Sequence, residues 1–199
     1  MKKQILFIIL GGSGGVLILL VAAFILFRPT NSEIFSSTVK MPPAKAGFVL
    51  TSPDFSDGDP IPARYTCDGE NIPPTLAWGE PPAGTVSIFL FVEDPVAPGG
   101  TWTHWIVYNL PRSTSVVDAQ FKPGVRIDDN PILFGKNSWG TEGYRGPCPP
   151  AGAHHHYIFS VDALDIMLGA GDKSSRNDLV NKMQGHILGT ATLMGTYSR

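Results

Sequence analysis

Charged side chains, cysteines and clusters of basic residues are all scarce in this sequence. Only 16% of its 199 residues are charged, and 15 lysines and arginines stand against 17 aspartates and glutamates, for a net charge of −2. Proteins that bind nucleic acid usually present a clustered basic surface. No block of lysines and arginines stands out here, so we expect no nucleic-acid partner. The two cysteines are too few for a disulfide-dense scaffold.

No acidic residue precedes Glu33, and the first part of the chain is strongly apolar. Ile5 to Phe27 is a run of 23 residues without a charge. As a helix this run would reach roughly 34 Å, enough to cross a bilayer core of about 30 Å. It is longer than the apolar core of a cleaved signal peptide, and no small-x-small cleavage site closely follows it. The sequence therefore predicts an uncleaved transmembrane anchor over residues 1–28.

The charges around this anchor predict its orientation. Lys2 and Lys3 precede the span and the positive charges after it are sparser, which favours a cytoplasmic N-terminus and an extracytoplasmic domain. Gly11 and Gly15 have the small-xxx-small spacing that allows two helices to approach closely. This spacing permits a homodimer, while a flexible or kinked span is the alternative. Residues 29–47 are polar with little periodicity, and we expect a flexible linker there.

Residues 48–199 are predicted to form one β-rich domain. Glycine and proline number 22 and 18, which suits a fold with many turns. Apolar or β-branched runs predict strands at 47–52, 86–92, 102–110, 157–164 and 187–197. One helix is predicted from Ser175 to Gln184, with Gly185 as its stop. The pattern is typical of an all-β or β-dominated domain with one or two peripheral helices.

The two cysteines, Cys67 and Cys148, both fall in this domain. If the domain lies outside the cytoplasm, they can form a disulfide, which would close a loop of about 80 residues and add roughly 4 kcal/mol. Two buried thiols are the alternative, because a sequence alone does not place the pair within bonding distance.

An acid, several imidazoles and a phenol occur between residues 94 and 157. Asp94 ends an apolar strand, His104 lies within WTHWIVYNL, and the run GAHHHY contains His155 and Tyr157. We expect Asp94 to accept a hydrogen bond from His104 and to favour the charged ring. A charged imidazole, a second imidazole and a tyrosine hydroxyl are suitable donors for phosphate or carboxylate oxygens.

Strand periodicity sorts these side chains by face. Alternate residues of WTHWIVYNL are expected to share one face: Trp102, His104, Ile106 and Tyr108. His155 and Tyr157 are expected to share a face of the later strand, and the neighbours of His155 in the triplet to point the other way. Adjacent histidines on a strand rarely bind one ion together, so we expect no metal site.

Four segments carry a resemblance to a known family: YTCDGENIPPTLAW, VEDPVAPGGTWTHWIVYNLP, GKNSWGTEGYRGPCPPAGAHHHYIF and GHILGTATLMGTYSR. In this order and spacing they resemble the phosphatidylethanolamine-binding protein family, and in particular its bacterial Raf-kinase-inhibitor-like branch. The resemblance covers residues 48–199. It implies an antiparallel β-sandwich with small peripheral helices, and a cavity that binds phosphate, acetate or a phosphoethanolamine head group. We expect no cofactor.

The resemblance also implies a set of ligand-binding residues: Asp94, Pro98, Trp102, His104, His155 and Tyr157. Two positions depart from the family's motifs. Val96 stands where Asp-Pro-Asp-x-Pro has its second aspartate, and His156 stands where Gly-x-x-His-Arg-Tyr has its arginine. The first change removes a carboxylate and the second removes a cation, so the family's head-group preference does not transfer directly.

Two functions fit these features. The first is a membrane-tethered binding module for a small anion or phospholipid head group, acting as a regulator or inhibitor of a partner kinase or protease, as relatives do. The second is a hydrolase or transferase with His104 or His155 as general base and Asp94 as its orienting group. Neither Ser138 nor Cys148 lies in a nucleophile-elbow pattern. We therefore favour the binding module.

Overall fold

A computed structural model describes residues 47–127, 130–169 and 175–199. The predicted transmembrane anchor, residues 1–28, lies outside the described residues, and so does the predicted linker apart from its last residue. Across the three described ranges, no helix combines the length and apolar character needed to cross a bilayer.

Short and long strands alternate with loops through the described domain. The strands are β1 (Leu50–Thr51), β2 (Leu76–Trp78), β3 (Ser87–Asp94), β4 (Trp102–Pro111), β5 (Val116–Val117), β6 (Arg126–Ile127), β7 (Asn130–Pro131), β8 (Leu133–Phe134), β9 (His154–Leu164) and β10 (Ile187–Ser198). The α-helix α1 spans Arg176–Met183, and a 3₁₀ helix spans Ala63–Tyr65. The five strands predicted from the sequence correspond to β1, β3, β4, β9 and β10. The sequence pattern does not predict the short strands β2, β5, β6, β7 and β8.

The four long strands and β8 form one antiparallel sheet in the order β10-β9-β3-β4-β8, and β1-β2-β5 form a smaller antiparallel sheet. Strands β6 and β7 pair separately. Apolar residues of the two larger sheets pack into one main core, including Leu50, Leu76, Trp78, Val117, Leu90, Val92, Trp105, Val107, Phe159 and Val161. The described domain is therefore mostly β, with its core between two sheets.

The second face of the large sheet is covered by α1. Phe89 of β3 packs on this side with Leu179 and Met183 of the helix. Strand β3 is thus buried on both faces, which explains why its sequence is continuously apolar instead of alternating.

Local sequence signals set the ends of α1. Ser175 caps its first turn, and the Ser175 hydroxyl and the Asp178 carboxylate form a reciprocal capping box. Gly185 follows the helix with φ +80°, a conformation that favours glycine. Arg176 in the first turn forms an ion pair with Glu93 of β3, with Nη2 donating to Oε2 at 3.1 Å. This contact ties the helix to the end of β3 that also carries Asp94.

A disulfide joins Cys67 to Cys148, with their Cα atoms 5.4 Å apart. The Cys67 N–H also donates to the Pro147 carbonyl at 3.0 Å. The bond therefore holds the loop before β9 against the segment that follows the 3₁₀ helix.

We expect the double substitution Cys67→Ser, Cys148→Ser to lower the free energy of unfolding by about 4 kcal/mol, because the bond restricts the unfolded chain over a separation of 81 residues. Chemical denaturation followed by tryptophan fluorescence measures this difference. Intact mass after alkylation without reductant is the control. Two alkylated thiols in the unreduced protein would contradict the bond.

Candidate ligand-binding site

The ends of β3 and β9 bring Asp94 and His155 into direct contact. The two side chains are buried, and His155 Nδ1 lies 2.6 Å from Asp94 Oδ2. The other carboxylate oxygen of Asp94 accepts the Val96 backbone N–H at 3.0 Å. Because Nδ1 donates to the carboxylate, Nε2 is the His155 nitrogen left for a ligand. The expectation that Asp94 bonds His104 is wrong, since its partner is His155.

His104 is held by a backbone carbonyl instead of a carboxylate. Its Nδ1 donates to the Arg145 carbonyl at 2.6 Å, and its own carbonyl accepts the Arg145 N–H at 3.1 Å. Burial lowers the pKa of His104 from its usual 6.5, outweighing the opposing effects of the Arg145 carbonyl and the Asp94 charge. The expected charged ring is therefore neutral at neutral pH. Its Nε2 then carries a lone pair that can accept a hydrogen bond.

A β-bulge determines the direction of the His104 side chain. Strand register pairs Val92 with Trp105 and Glu93 with Thr103, so β4 contains one extra residue, His104, at this point. A bulge of this kind breaks the alternation of side chains between the two faces. Thr103 lies on the α1 side, where its hydroxyl donates to Glu93 at 3.2 Å.

The bulge changes which side chains share a face. Ile106 and Tyr108 pack in the apolar cluster around α1. The His104 ring instead lies 5.2 Å, centroid to centroid, from the ring of Tyr157, which belongs to the main core. The prediction that His104 shares a face with Ile106 and Tyr108 is wrong for this reason.

Tyr157 is a buried phenol between the two histidines. Its ring centroid lies 6.4 Å from that of His155, and the residue is almost fully buried. Burial, and after it the nearby Asp94 charge, raises the pKa of Tyr157 above its usual 10. The hydroxyl therefore stays protonated across the physiological range and can donate to an anion.

Trp139 and Arg145 extend this group, and sequence reasoning missed both. The Trp139 ring lies 5.3 Å from the Trp102 ring and 5.1 Å from the His104 ring. The Arg145 guanidinium carbon lies 5.2 Å from the Trp139 ring centroid, a cation–π contact. We define the histidine cluster as Asp94, Trp102, His104, Trp139, Arg145, His155 and Tyr157.

The loop that carries Trp139 is organised by a buried asparagine. Asn137 Oδ1 accepts the backbone N–H groups of Trp139 and Thr141, and its Nδ2 donates to the Gly143 carbonyl at 3.1 Å. Ser138 is tied to β4, with its hydroxyl accepting the Thr103 N–H at 2.8 Å. The Asn137 contacts are local, the Ser138 contact joins residues 35 apart, and none of them follows a strand or helix period. The available sequence signal was the position of Trp139 and Arg145 inside a segment that resembles the family.

The remaining predicted residues lie outside this group of contacts. Pro98 is exposed in the turn between β3 and β4, and no described contact joins it to the histidine cluster. His154 is exposed and His156 is half-buried, on the opposite side of β9 from His155. Over the described ranges, no three His, Cys, Asp or Glu side chains are grouped so that they could hold a metal ion.

Comparisons with known proteins agree on one family. A family model described as phosphatidylethanolamine-binding protein matches residues 51–198. The UPF0098 protein of Methanothermobacter thermautotrophicus is 43% identical over 145 residues, covering 73% of this chain and 95% of the relative. The UPF0098 protein of Aquifex aeolicus is 43% identical over 150 residues, covering 74% of this chain and 86% of the relative.

Two crystal structures share the fold. CT736 of Chlamydia trachomatis, a homologue of phosphatidylethanolamine-binding protein (PEBP), has a TM-score of 0.69 and 40% identity, covering 78% of this chain and 99% of the homologue. YbcL of E. coli, described as a member of the mammalian PEBP family, has a TM-score of 0.71 and 29% identity, covering 77% and 99%. With most of its length matched, this chain belongs to the phosphatidylethanolamine-binding protein family.

Proposed function

We propose that this chain is a membrane-tethered binding module whose histidine cluster binds the phosphate or carboxylate group of a small ligand, without catalysing its turnover. The observation that carries the proposal is the convergence of His104, His155 and the Tyr157 hydroxyl, with Asp94 orienting one of the rings. Each imidazole donates from Nδ1 within the protein, so Nε2 of both rings is left for a ligand. The Tyr157 hydroxyl can donate to an anion directly, whereas Nε2 of His104 donates only after the ring takes up a proton.

Arg145 supplies the positive charge that the proposal needs. The neutral His104 ring contributes none at neutral pH, and the arginine of the family's second motif is replaced by His156. Arg145 is exposed, is held over Trp139, and forms no salt bridge with any described carboxylate. A guanidinium with its donors unpaired can bind two oxygens of one phosphate. A carboxylate offers two oxygens as well, but the greater charge of a dianionic phosphate ester favours it over a carboxylate beside this cation.

The tether and the partner complete the proposal. The uncharged run from Ile5 to Phe27 would anchor the domain, and the linker would leave it limited freedom near the membrane. Family members bind ligands, and relatives act on kinases or proteases through protein contacts. We propose the same role here, with ligand occupancy of the histidine cluster altering the contact surface around Trp139.

The competing hypothesis is a hydrolase in which Asp94 and His155 act as an acid–base pair. Their hydrogen bond at 2.6 Å favours His155 over His104 for that role. A nucleophile is missing from the described contacts, because Cys148 is bonded to Cys67 and the Ser138 hydroxyl accepts the Thr103 N–H. An attacking water is then required. The binding experiment below therefore includes a turnover measurement.

We expect His155→Ala to weaken binding of phosphate and phosphoethanolamine about tenfold or more, because a hydrogen bond to a charged ligand contributes about 1.5–3 kcal/mol. Calorimetric titration measures the dissociation constants. The matched control is His186→Ala, since His186 also pairs through Nδ1 with an aspartate, Asp165, at 2.8 Å, but lies outside the histidine cluster.

Two results would contradict the binding module. Equal losses in the two histidine variants would show that the cluster is not the site. Hydrolysis of a phosphate or carboxylate ester by the wild-type chain, lost in His155→Ala and kept in His186→Ala, would favour the enzyme.

Anion affinity is expected to fall as pH rises. The pH range of this fall is set by the lowered pKa of His104 in the free protein and by its higher pKa in the complex. An anion beside the ring raises that pKa, so binding takes up a proton between the lowered value in the free protein and the higher value in the complex. Titration with acetate at about pH 6, in two buffers of different ionisation enthalpy, measures the uptake. His104→Gln should abolish it. An unchanged affinity between about pH 5 and 8, without proton uptake, would argue against His104 as a ligand contact.

Arg145→Ala should weaken phosphate binding about tenfold and acetate binding about threefold, because both anions can engage the two arms of the guanidinium but the phosphate dianion carries twice the charge of acetate. The same titrations measure both constants. Arg145→Lys should restore part of the phosphate affinity, since it keeps the charge and loses the fork. Arg112→Ala is the control, as Arg112 is an exposed arginine paired with Glu80 away from the cluster. Equal losses for the two ligands would exclude Arg145 from ligand selection.

A further inference from the structure

Exposed apolar side chains concentrate at the end of the domain opposite the histidine cluster. Within the described part of the chain, seven large hydrophobic residues are exposed, and two of them, Val96 and Trp139, lie beside or within the histidine cluster. The other five lie at the far end and form what we define as the apolar rim: Val49, Val86, Met167, Ile187 and Leu188.

Strand pairing holds three members of the apolar rim together. The Val86 N–H donates to the Leu164 carbonyl at 2.7 Å, and Leu164 pairs with Ile187 across β9 and β10. Gly84 lies two residues before Val86, and a Cβ atom added to it would lie 3.6 Å from Leu188 Cδ1. These contacts place the first residues of β10 at the same end of the large sheet as the start of β3, with β9 between the two strands.

The other two members lie against the same end. Ile166 directly precedes Met167, and its carbonyl accepts a hydrogen bond from the hydroxyl of Ser87 at the start of β3. Phe48 directly precedes Val49, and its ring would lie 3.6 Å from a Cβ atom added to Gly189 in β10. The apolar rim therefore lies at the end of the domain at which Phe48 and Val49 begin the described fold.

The apolar rim and the histidine cluster are separated by the length of β3. Ser87 lies at one end of this strand and Asp94 at the other, seven residues apart. At about 3.3 Å per residue, the separation is roughly 23 Å. The two surfaces therefore occupy opposite ends of the domain.

Polar groups near the apolar rim bond one another. Asp165 hydrogen-bonds to His186 Nδ1 at 2.8 Å, and Glu80 forms an ion pair with Arg112. Polar groups that already have partners cost less to bring near an apolar surface than unpartnered ones. The apolar rim thus combines exposed aliphatic side chains with nearby polar groups that have partners.

We propose that the apolar rim rests on the surface of a phospholipid bilayer, so that the histidine cluster faces away from that bilayer. The inference rests on the membrane tether of the proposed function. The uncharged run ends at Phe27, about 20 residues before Gly47, and a flexible linker of that length spans roughly 25 Å on average. Such a tether keeps the apolar rim at high effective concentration near lipid, so a weak contact suffices.

This orientation determines the source of the ligand. A site facing away from the bilayer, and roughly 23 Å from the apolar rim along β3, does not reach the head groups of the lipids on which the domain rests. The histidine cluster would then take a soluble anion, or an anionic group on a partner protein that approaches from the solvent side.

The test uses the full chain reconstituted in phosphatidylcholine–phosphatidylglycerol vesicles that contain a nitroxide-labelled lipid. Ile187→Cys and Val96→Cys each carry a fluorophore, and these positions are matched in exposure at 47% and 46%. We expect quenching at position 187 to be at least about threefold that at position 96. Adding Val86→Ser and Leu188→Ser to the Ile187→Cys chain should reduce that quenching, because the apolar contact is weakened.

Three outcomes would overturn the inference. Equal quenching at the two positions would mean that the domain has no preferred orientation. Weak lipid quenching at 187 combined with protection from iodide would mean that a second copy covers the apolar rim. Release of the chain from vesicles by carbonate would mean that the tether itself fails. Only this last result also removes the membrane part of the proposed function, and it leaves anion binding by the histidine cluster untouched.

Discussion

One extra residue in β4 controls which side of the large sheet carries polar chemistry. Without the bulge, alternation would turn His104 toward α1, away from Tyr157 and from the end of β9. With the bulge, the Thr103 hydroxyl donates a hydrogen bond to Glu93 on the α1 side, and the His104 ring lies on the side of the main core. The Glu93–Arg176 pair fixes the same strand end from the helix side. Direct contacts therefore link the bulge in β4 to α1 on one side of the sheet and to the rings of His104 and Tyr157 on the other.

Burial gives the members of the histidine cluster different electrostatic roles. Desolvation lowers the pKa of His104 and raises the pKa of Tyr157, so each presents a neutral group at neutral pH. Asp94 has both oxygens engaged, one by His155 and one by the Val96 N–H. The substitution of Val96 for the motif's aspartate removes a side-chain charge but leaves this backbone donor in place. Arg145, at the solvent side over Trp139, offers a guanidinium that no described carboxylate pairs.

Much of this architecture follows from local sequence signals. The apolar run that becomes β3 and the cap residue Ser175 specify their elements through nearby residues alone. The hydrogen-bond partners of Asp94 and His104 do not follow from local sequence signals, because each partner comes from a distant segment of the chain. Strict alternation along β4 gave the wrong face for His104, since a bulge is set by pairing with β3 and not by the sequence of one strand. Trp139 was missed because a loop ordered by Asn137 has no period to detect.

The two ends of β3 carry chemically different surfaces. The orientation of the domain relative to a bilayer therefore decides which of the two surfaces meets lipid. One end gathers two oriented imidazoles, to which the proposed function assigns a charged ligand from solvent. The other gathers aliphatic side chains that water solvates poorly and that border the entry of the chain. If both ends met the same bilayer, the strand would have to lie flat and the histidine cluster would lose access to solvent. The proposed orientation avoids this conflict, because a tether attached beside the apolar rim would leave the histidine cluster exposed to solvent while the apolar rim contacts lipid.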